Sequence, residues 1–238
     1  MEKFKERTSI IIGDQALERL DRSRVIVFGL GGVGSYVVEA LARAGVGHLT
    51  LVDFDDVDAT NINRQLPALH STIGSKKVEV VLERVRDINP EIDVRGYVSL
   101  YDDTTSDRLL EGHYDYVVDA IDMVKSKIHL IDTCYKRGLK IISSMGMGNK
   151  LDPCQIEVSD IHKTEMCPLA KLVRKEAKQR GIKKLTVVYS KEKPSQPRLV
   201  EVDGRRERIN GSISFVPSAG GLVIASYVVR DLLGLIYK

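Results

Sequence analysis

The chain has 238 residues, 43% hydrophobic and 29% charged, with a formal net charge of +3 and no tryptophan. That length suits one large domain, or a domain with an appendage, burying roughly 70–75% of its unfolded surface without a disulfide or metal staple. The composition excludes disorder and low-complexity architecture. The apolar stretch at residues 222–229 is stopped by Arg230 and Asp231, short of the ~20 residues of a membrane span. The opening Met1-Glu2-Lys3-Phe4-Lys5-Glu6-Arg7 is too charged for a secretory signal. Cys134, Cys154 and Cys167 form no C-x-x-C pair. A disulfide framework or four-cysteine zinc site is therefore not expected, and a reducing, cytoplasmic setting is.

Residues 24–28 form a β-rich run ending at Gly29, as expected of a strand buried on both faces. A helix follows with Val33, Val37, Ala40, Leu41 and Ala44 on one face and Gly45 and Gly47 as its stop. Residues 48–52 read as a second strand closed by Asp53. Val78, Val81, Leu82, Val85 and Ile88 form a second helical stripe ending at Asn89-Pro90. Strands are expected at 92–98, 114–118 and 140–143, with a helix at about 126–137. Repeated β-α-β units imply a Rossmann-like, doubly wound α/β fold with a mainly parallel sheet. After residue 150 the pattern changes to a C-terminal extension of antiparallel strands and helices. Strands are expected at 155–158 and 185–189, a basic helix at 168–181, a polar stretch at 191–210, and an apolar helix opened by Pro217 and running to Leu235. With no linker in view, residues 1–238 read as a single domain. Residues 1–150 would be its nucleotide-binding core, and 151–238 a basic extension.

Gly29-Leu30-Gly31-Gly32-Val33-Gly34 lies between a predicted strand and a predicted helix. In that context glycines allow a ligand close to the backbone, and the helix N-terminus offers N–H groups to phosphates. Asp53, at the end of the next strand, is placed for ribose hydroxyls. Two chemistries fit: a nicotinamide or flavin dinucleotide, or an adenine nucleoside triphosphate. Residues 53–65 add acids, amides and Arg64 at the same sheet end. Hydride transfer needs little such apparatus, whereas attack on a phosphate needs cations and a metal against the leaving pyrophosphate. Arg64 and Lys77 are candidate cations, with a solvated surface charge as the alternative for each. Asp122 is a candidate magnesium ligand, or else the N-cap of the next helix.

G-x-G-G-V-G-S, L-V-D-F-D-D-V, T-N-I-N-R-Q, Lys77 thirteen residues after Arg64, and Asp119-Ala120-Ile121-Asp122 together resemble the adenylyltransferases related to ubiquitin-activating enzymes. Asn61-Ile62-Asn63-Arg64-Gln65-Leu66-Pro67, Ser143-Ser144-Met145-Gly146, Asp152-Pro153, Asp160-Ile161-His162-Lys163-Thr164 and Phe215-Val216-Pro217-Ser218 are similar to the tRNA threonylcarbamoyladenosine dehydratase branch. The resemblance runs from about Arg7 to the C-terminus. It implies an ATP- and Mg²⁺-dependent enzyme that adenylates the carboxylate of N6-threonylcarbamoyladenosine at tRNA position 37 and cyclises it. It also implies that Gly29, Gly31, Gly32 and Gly34 line the phosphates and Asp53 holds the ribose. Asn61 and Arg64 would hold the phosphates, Lys77 the phosphates or pyrophosphate, and Asp122 the magnesium. Arg7 would reach the ATP of the other subunit of a homodimer.

Two alternatives remain: activation of the C-terminal glycine of a ubiquitin-like sulfur carrier, and an NAD-dependent oxidoreductase. The missing C-x-x-C pairs count against the first. Cys167 precedes Pro168-Leu169-Ala170-Lys171, where relatives tend to have an acid. No neighbour in sequence would lower its pKa, and all three cysteines read as reduced structural or surface thiols. From Lys163 to Arg198 the net charge is +8, leaving −5 for the rest. Such asymmetry marks a polyanion-binding face, with Arg174, Lys175, Lys178, Lys183 and Lys184 as the tRNA candidates, or else a well-solvated helix.

Overall fold

The computed structural model describes residues 3–202 and 205–236. Seven strands form one sheet: β1 (Arg24–Phe28), β2 (His48–Asp53), β3 (Asp93–Val98), β4 (Tyr116–Asp119), β5 (Ile141–Ser144), β6 (Ile156–Asp160) and β7 (Thr186–Ser190). Their order is β3-β2-β1-β4-β5-β7-β6, and all neighbours are parallel except β6 and β7. The chain winds outward from β1 in both directions, so β1 and β4 flank the topological switch point. In open α/β sheets a ligand crevice lies there, beyond the carboxyl ends of the strands.

Alternation along β1 shows how the sheet is covered. Val25 and Val27 face one core with α3 (Gly34–Ala44), α4 (Lys77–Ile88) and α8 (Phe215–Leu232). Ile26 and Phe28 face the other, with α5 (Ser106–Leu109) and α6 (Val124–Arg137). A third cluster seats α7 (Pro168–Gln179) beside α6 on that second face, through Ile131, Ala170, Val173 and Ala177. Helix α3 forms where the sequence predicts it. Val37, Val38, Leu41 and Ala42 are buried, and Gly45 closes it in the left-handed conformation, φ 98°, that favours glycine at a helix end.

Several expectations change. The N-terminal region holds two helices not expected from sequence, α1 (Glu6–Ile12) and α2 (Asp14–Asp21). Helix α2 buries Leu17 and Leu20, whereas α1 leaves Ile10 and Ile11 about 85% exposed. Strand β7 pairs in parallel with β5, so only β6 and a small hairpin are antiparallel. That hairpin, β8 (Arg198–Val202) and β9 (Arg205–Ile209), occupies the stretch expected to be merely polar. Its alternating Arg198-Leu199-Val200-Glu201-Val202 has the strand period. The apolar helix ends at Leu232 rather than Leu235. By length and mean hydropathy, 1.2, it would pass for a membrane span, yet it buries Gly220, Ile224, Ala225 and Val228 in the core shared with α3.

Candidate active site

A cleft of about 840 Å³ opens at the carboxyl ends of β1, β2, β4 and β5. One wall is built by the β1–α3 turn and the segment after β2. Gly29 has φ +86°, and a Cβ there would meet the Ala120 carbonyl oxygen at 2.7 Å. A Cβ on Gly34 would lie 1.7 Å from the Gly29 carbonyl oxygen. Gly29, Gly31 and Gly32 line the cleft with Val33, but Gly34 does not. Its part is the close packing of helix against turn, which corrects the expectation that it touches phosphate. No side chain caps α3, but the Ser35, Tyr36 and Val37 N–H groups already donate to the Gly31 and Val33 carbonyls, so backbone N–H contact with a ligand falls to the glycine turn itself.

Asp53 organises this wall. Its Oδ2 accepts the Leu30 N–H at 2.6 Å and its Oδ1 the Asp55 N–H at 2.8 Å. The carboxylate is buried, and burial raises its pKa against the two N–H donors and Lys77, which lower it. Asp55, which sequence reasoning missed, accepts a 2.7 Å ion pair from Lys77 Nζ. Lys77 is the first residue of α4 and is itself buried. A cation there opposes the helix dipole by roughly 0.3–1 kcal/mol, so helix stability does not account for it.

Asn61 and Arg64 also line the cleft. Asn61 Oδ1 accepts the Asp58 N–H, closing a capping box on a 3₁₀ turn. Arg64 Nη1 donates to the Thr60 carbonyl and to Asn63 Oδ1, leaving the other guanidinium donors for a ligand. Gln65, another missed residue, is 8% exposed and lines the cleft. Its Oε1 has no hydrogen-bond partner among the described residues. A buried acceptor so placed fits a ligand that brings a donor, as a nucleoside does.

Asp122 lines the cleft from the loop between β4 and α6. Helix α6 starts at N-cap Met123 with no side-chain cap, so the carboxylate is not used for capping. Among the described residues no cluster of three His, Cys, Asp or Glu side chains is arranged for a metal. A single carboxylate nevertheless suits Mg²⁺, which commonly takes one or two carboxylates and completes its shell with phosphate and water.

Beneath this loop lies a buried network that the sequence does not announce. Lys127 Nζ donates to Asp119 Oδ2 at 2.7 Å, to Ser143 Oγ at 3.3 Å and to the Ser144 carbonyl at 2.9 Å. Ser143 Oγ donates to Asp119 Oδ2, and Asp119 Oδ1 accepts the Ile121 N–H. Both ions of the pair are fully buried. All three ammonium protons are satisfied, so the network fixes the β4 and β5 ends and the loop that carries Asp122.

The other wall comes from the segment after β5 and the start of α7: Gly146, Met147, Asn149, Lys150, Cys167 and Leu169. Cys167 and Cys134 are buried and Cys154 is exposed, all as free thiols. Burial pushes the Cys134 pKa up to about 12, which keeps it an inert thiol.

Other predicted residues lie elsewhere. Arg7 is exposed on α1 and does not line the cleft of its own chain. Helix α7 runs from the cleft, where Pro168 and Leu169 line it, toward the opposite sheet edge, where β7 begins. Lys171, Lys175 and Lys178 are exposed along it at helical spacing. Lys183 and Lys184 are exposed before β7, at the amino edge rather than at the cleft. Arg174 departs from the patch: its guanidinium donates to the Thr164 carbonyl at 2.6 Å and hydroxyl at 2.7 Å, clamping the loop before α7.

The sequence profile of the ThiF family matches residues 6–236. The chain belongs to the ThiF family. Among similar relatives of this ThiF-family chain, the tRNA threonylcarbamoyladenosine dehydratase of Bacillus subtilis is 45% identical over 240 residues, covering 95% of this chain and 93% of the relative. The Haemophilus influenzae enzyme of that name is 48% identical over 159 residues, covering 67% of this chain and 61% of the relative. The crystal structure of Escherichia coli tRNA N6-threonylcarbamoyladenosine dehydratase in complex with ATP superposes with a TM-score of 0.86 at 33% identity, covering 96% and 93%. Its AMP complex gives a TM-score of 0.87 at 34% identity, with the same coverage.

The buried network of this ThiF-family chain is testable. Lys127→Met strands a buried carboxylate, a change that typically costs about 3–5 kcal/mol. A urea melt should show the midpoint falling accordingly, and an unchanged midpoint would refute the network's structural role.

Proposed function

We propose that the chain uses ATP to dehydrate and cyclise N6-threonylcarbamoyladenosine at position 37 of tRNA. The observation that carries this is the linked set Asp53, Asp55 and Lys77, with Arg64 lining the same cleft, beside the glycine turn at the switch point. Departure of pyrophosphate requires such charge; hydride transfer to a nicotinamide does not. The relatives that carry the dehydratase name, and the ATP and AMP complexes of the E. coli enzyme, point the same way.

In this scheme a carboxylate oxygen of the substrate attacks the α-phosphorus, and the bond to pyrophosphate breaks. A nitrogen of the same threonylcarbamoyl group then attacks the activated carbonyl. AMP departs carrying the carboxylate oxygen, the nitrogen loses its proton, and one water has been removed in total. Gly29, Gly31 and Gly32 cradle the phosphates by backbone, Asp53 receives the ribose hydroxyls, and Asn61, Arg64 and Lys77 counter the leaving charge. Asp122 would hold Mg²⁺, which would supply positive charge to offset that of the phosphates. Ring closure within one group has effective molarities up to ~10⁵ M or more, so no cysteine thioester is needed. As a tRNA-modifying enzyme the chain would work in the cytoplasm.

Two parts of the assembly belong to the same proposal. Helix α1 exposes Ile10 and Ile11 beside Arg7. A homodimer that covers this apolar pair would deliver Arg7 to the partner's cleft. The lysines of α7, with Lys183 and Lys184, would guide tRNA along the molecule's side.

With ATP and modified tRNA, Lys77→Ala and Asp122→Ala should form no AMP and no product one water lighter, while remaining folded by circular dichroism at the assay temperature. Normal turnover by either variant would overturn its assigned role. Arg7→Ala should be inactive alone, yet an equal mixture with Lys77→Ala should recover about a quarter of wild-type activity, because half the dimers then hold one intact site. No recovery after subunit exchange would dismiss the shared site. Lys175→Ala with Lys178→Ala should weaken tRNA binding and flatten its salt dependence by about one to two units of logarithmic slope; identical slopes in filter binding would dismiss the stripe.

A further inference from the structure

Three cations line the cleft among the described residues: Arg64, Lys77 and Lys150. The first two stand on the wall of the glycine loop, and Lys77 is paired with Asp55. Lys150 stands on the facing wall, between β5 and β6. It is 6% exposed, and its Nζ donates to the Ser190 carbonyl at 2.9 Å. Among the described residues no carboxylate lies within ion-pair distance of it. The ionisable groups that act on it are Cys167, at the start of α7, and Glu192, just past β7. Glu192 already accepts the Leu151 and Asp152 N–H groups. Burial lowers the lysine's pKa, and those two neighbours only partly oppose this.

The position is rigid. Asn149, held left-handed at φ 59°, donates its N–H to the Gly211 carbonyl at 2.8 Å and accepts the Gly211 N–H on Oδ1 at 2.6 Å. Its Nδ2 donates to Asn210 Oδ1, and its carbonyl accepts the Ser195 N–H at 2.8 Å. The backbone next to Lys150 is thereby tied to both roots of the β8–β9 hairpin. A buried ammonium with no ion-pair partner among the described residues is costly, and an incoming anion would supply one.

We propose that Lys150 receives the substrate's carboxylate, its two uncommitted N–H groups facing the incoming oxygens from the wall opposite the glycine loop. This rests on the adenylation reading above and deepens it. The acid must reach the α-phosphorus roughly in line with, and opposite to, the departing pyrophosphate, so it comes from the wall away from Arg64 and Lys77. A cation there offsets repulsion between carboxylate and phosphate as they close. Once the acyl–phosphate bond forms, the carboxylate charge is gone and the hold on that group relaxes. Lys150 is thus a substrate-binding residue that favours an acid-bearing adenosine over an unmodified one.

The test compares Lys150→Met and Lys150→Arg with wild type. Affinity is measured for modified and unmodified tRNA, with a non-hydrolysable ATP analogue present and with the ATP-induced thermal shift as the control for folding. Wild type should prefer modified tRNA by about tenfold or more, as a charge-assisted contact provides. Lys150→Met should lose that preference with its ATP shift intact, and Lys150→Arg should restore most of it, since arginine keeps the charge. A wild-type preference in Lys150→Met overturns the proposal. So does a Lys150→Arg protein as indifferent as Lys150→Met, because the group would then act through its proton and not its charge. Failure of the wild type to remove water from modified tRNA would instead sink the adenylation reading.

Discussion

One buried carboxylate ties the cleft together. Asp53 accepts N–H groups from Leu30 in the glycine turn and from Asp55 in the segment after β2, so two loops from different strands share one anchor. Asp55 in turn holds Lys77 at the head of α4. Strand, helix and loop are thereby placed relative to one another by a chain of short charge-assisted contacts, the strong class of hydrogen bond. The cost is a carboxylate held out of water, visible as its raised pKa. Buried partners meet that cost only while both loops stay in place, so loop geometry and cleft chemistry are one constraint.

The far side of the switch point is fixed by a second, independent device. Asp119, Lys127 and Ser143 satisfy one another without solvent and hold the loop from which Asp122 enters the cleft. Buried ion pairs are weak contributors to net stability but tolerate little geometric error. A pair of this kind beneath a metal-ligand candidate fits a role in placing it. The segment after β2 and the loop after β4 thus rest on separate hydrogen-bond networks, which meet where the Gly29 turn packs on Ala120.

Much of this is legible in the sequence, for a physical reason. Strand ends in a doubly wound sheet converge on one edge, so Gly29, Asp53 and Asp122 fall together once the β-α-β order is recognised. Arg64 and Asn61 follow because the segment after Asp53 carries them along the same sheet edge. Gly34 shows the limit: the glycine pattern does not distinguish a residue that meets phosphate from one that lets a helix meet its own turn. Lys183 and Lys184 show another, since charge counted along the chain ignores that β7 starts at the edge away from the cleft. Helix α1 is missed because Thr8-Ser9-Ile10-Ile11-Ile12 has weak helix propensity and no core-facing stripe.

Lys150 and Gln65 are hidden for a different reason. Lys150 sits in an unremarkable run, and Gln65, though it closes the T-N-I-N-R-Q motif, has nothing in its neighbours that marks it as buried; only the fold shows, among the described residues, one as a cation without an ion-pair partner and the other as an unpaired acceptor. Both unpaired groups line the same cleft, and their polarities are opposite. Gln65, beside the glycine loop, lacks a donor, which a nucleoside provides; Lys150, across the cleft, lacks an anion, which an acid group provides. A folded chain rarely leaves buried polar groups unmatched. Two such groups on facing walls, wanting complementary partners, argue for a cleft shaped for two reactants together, with the α-phosphorus between them.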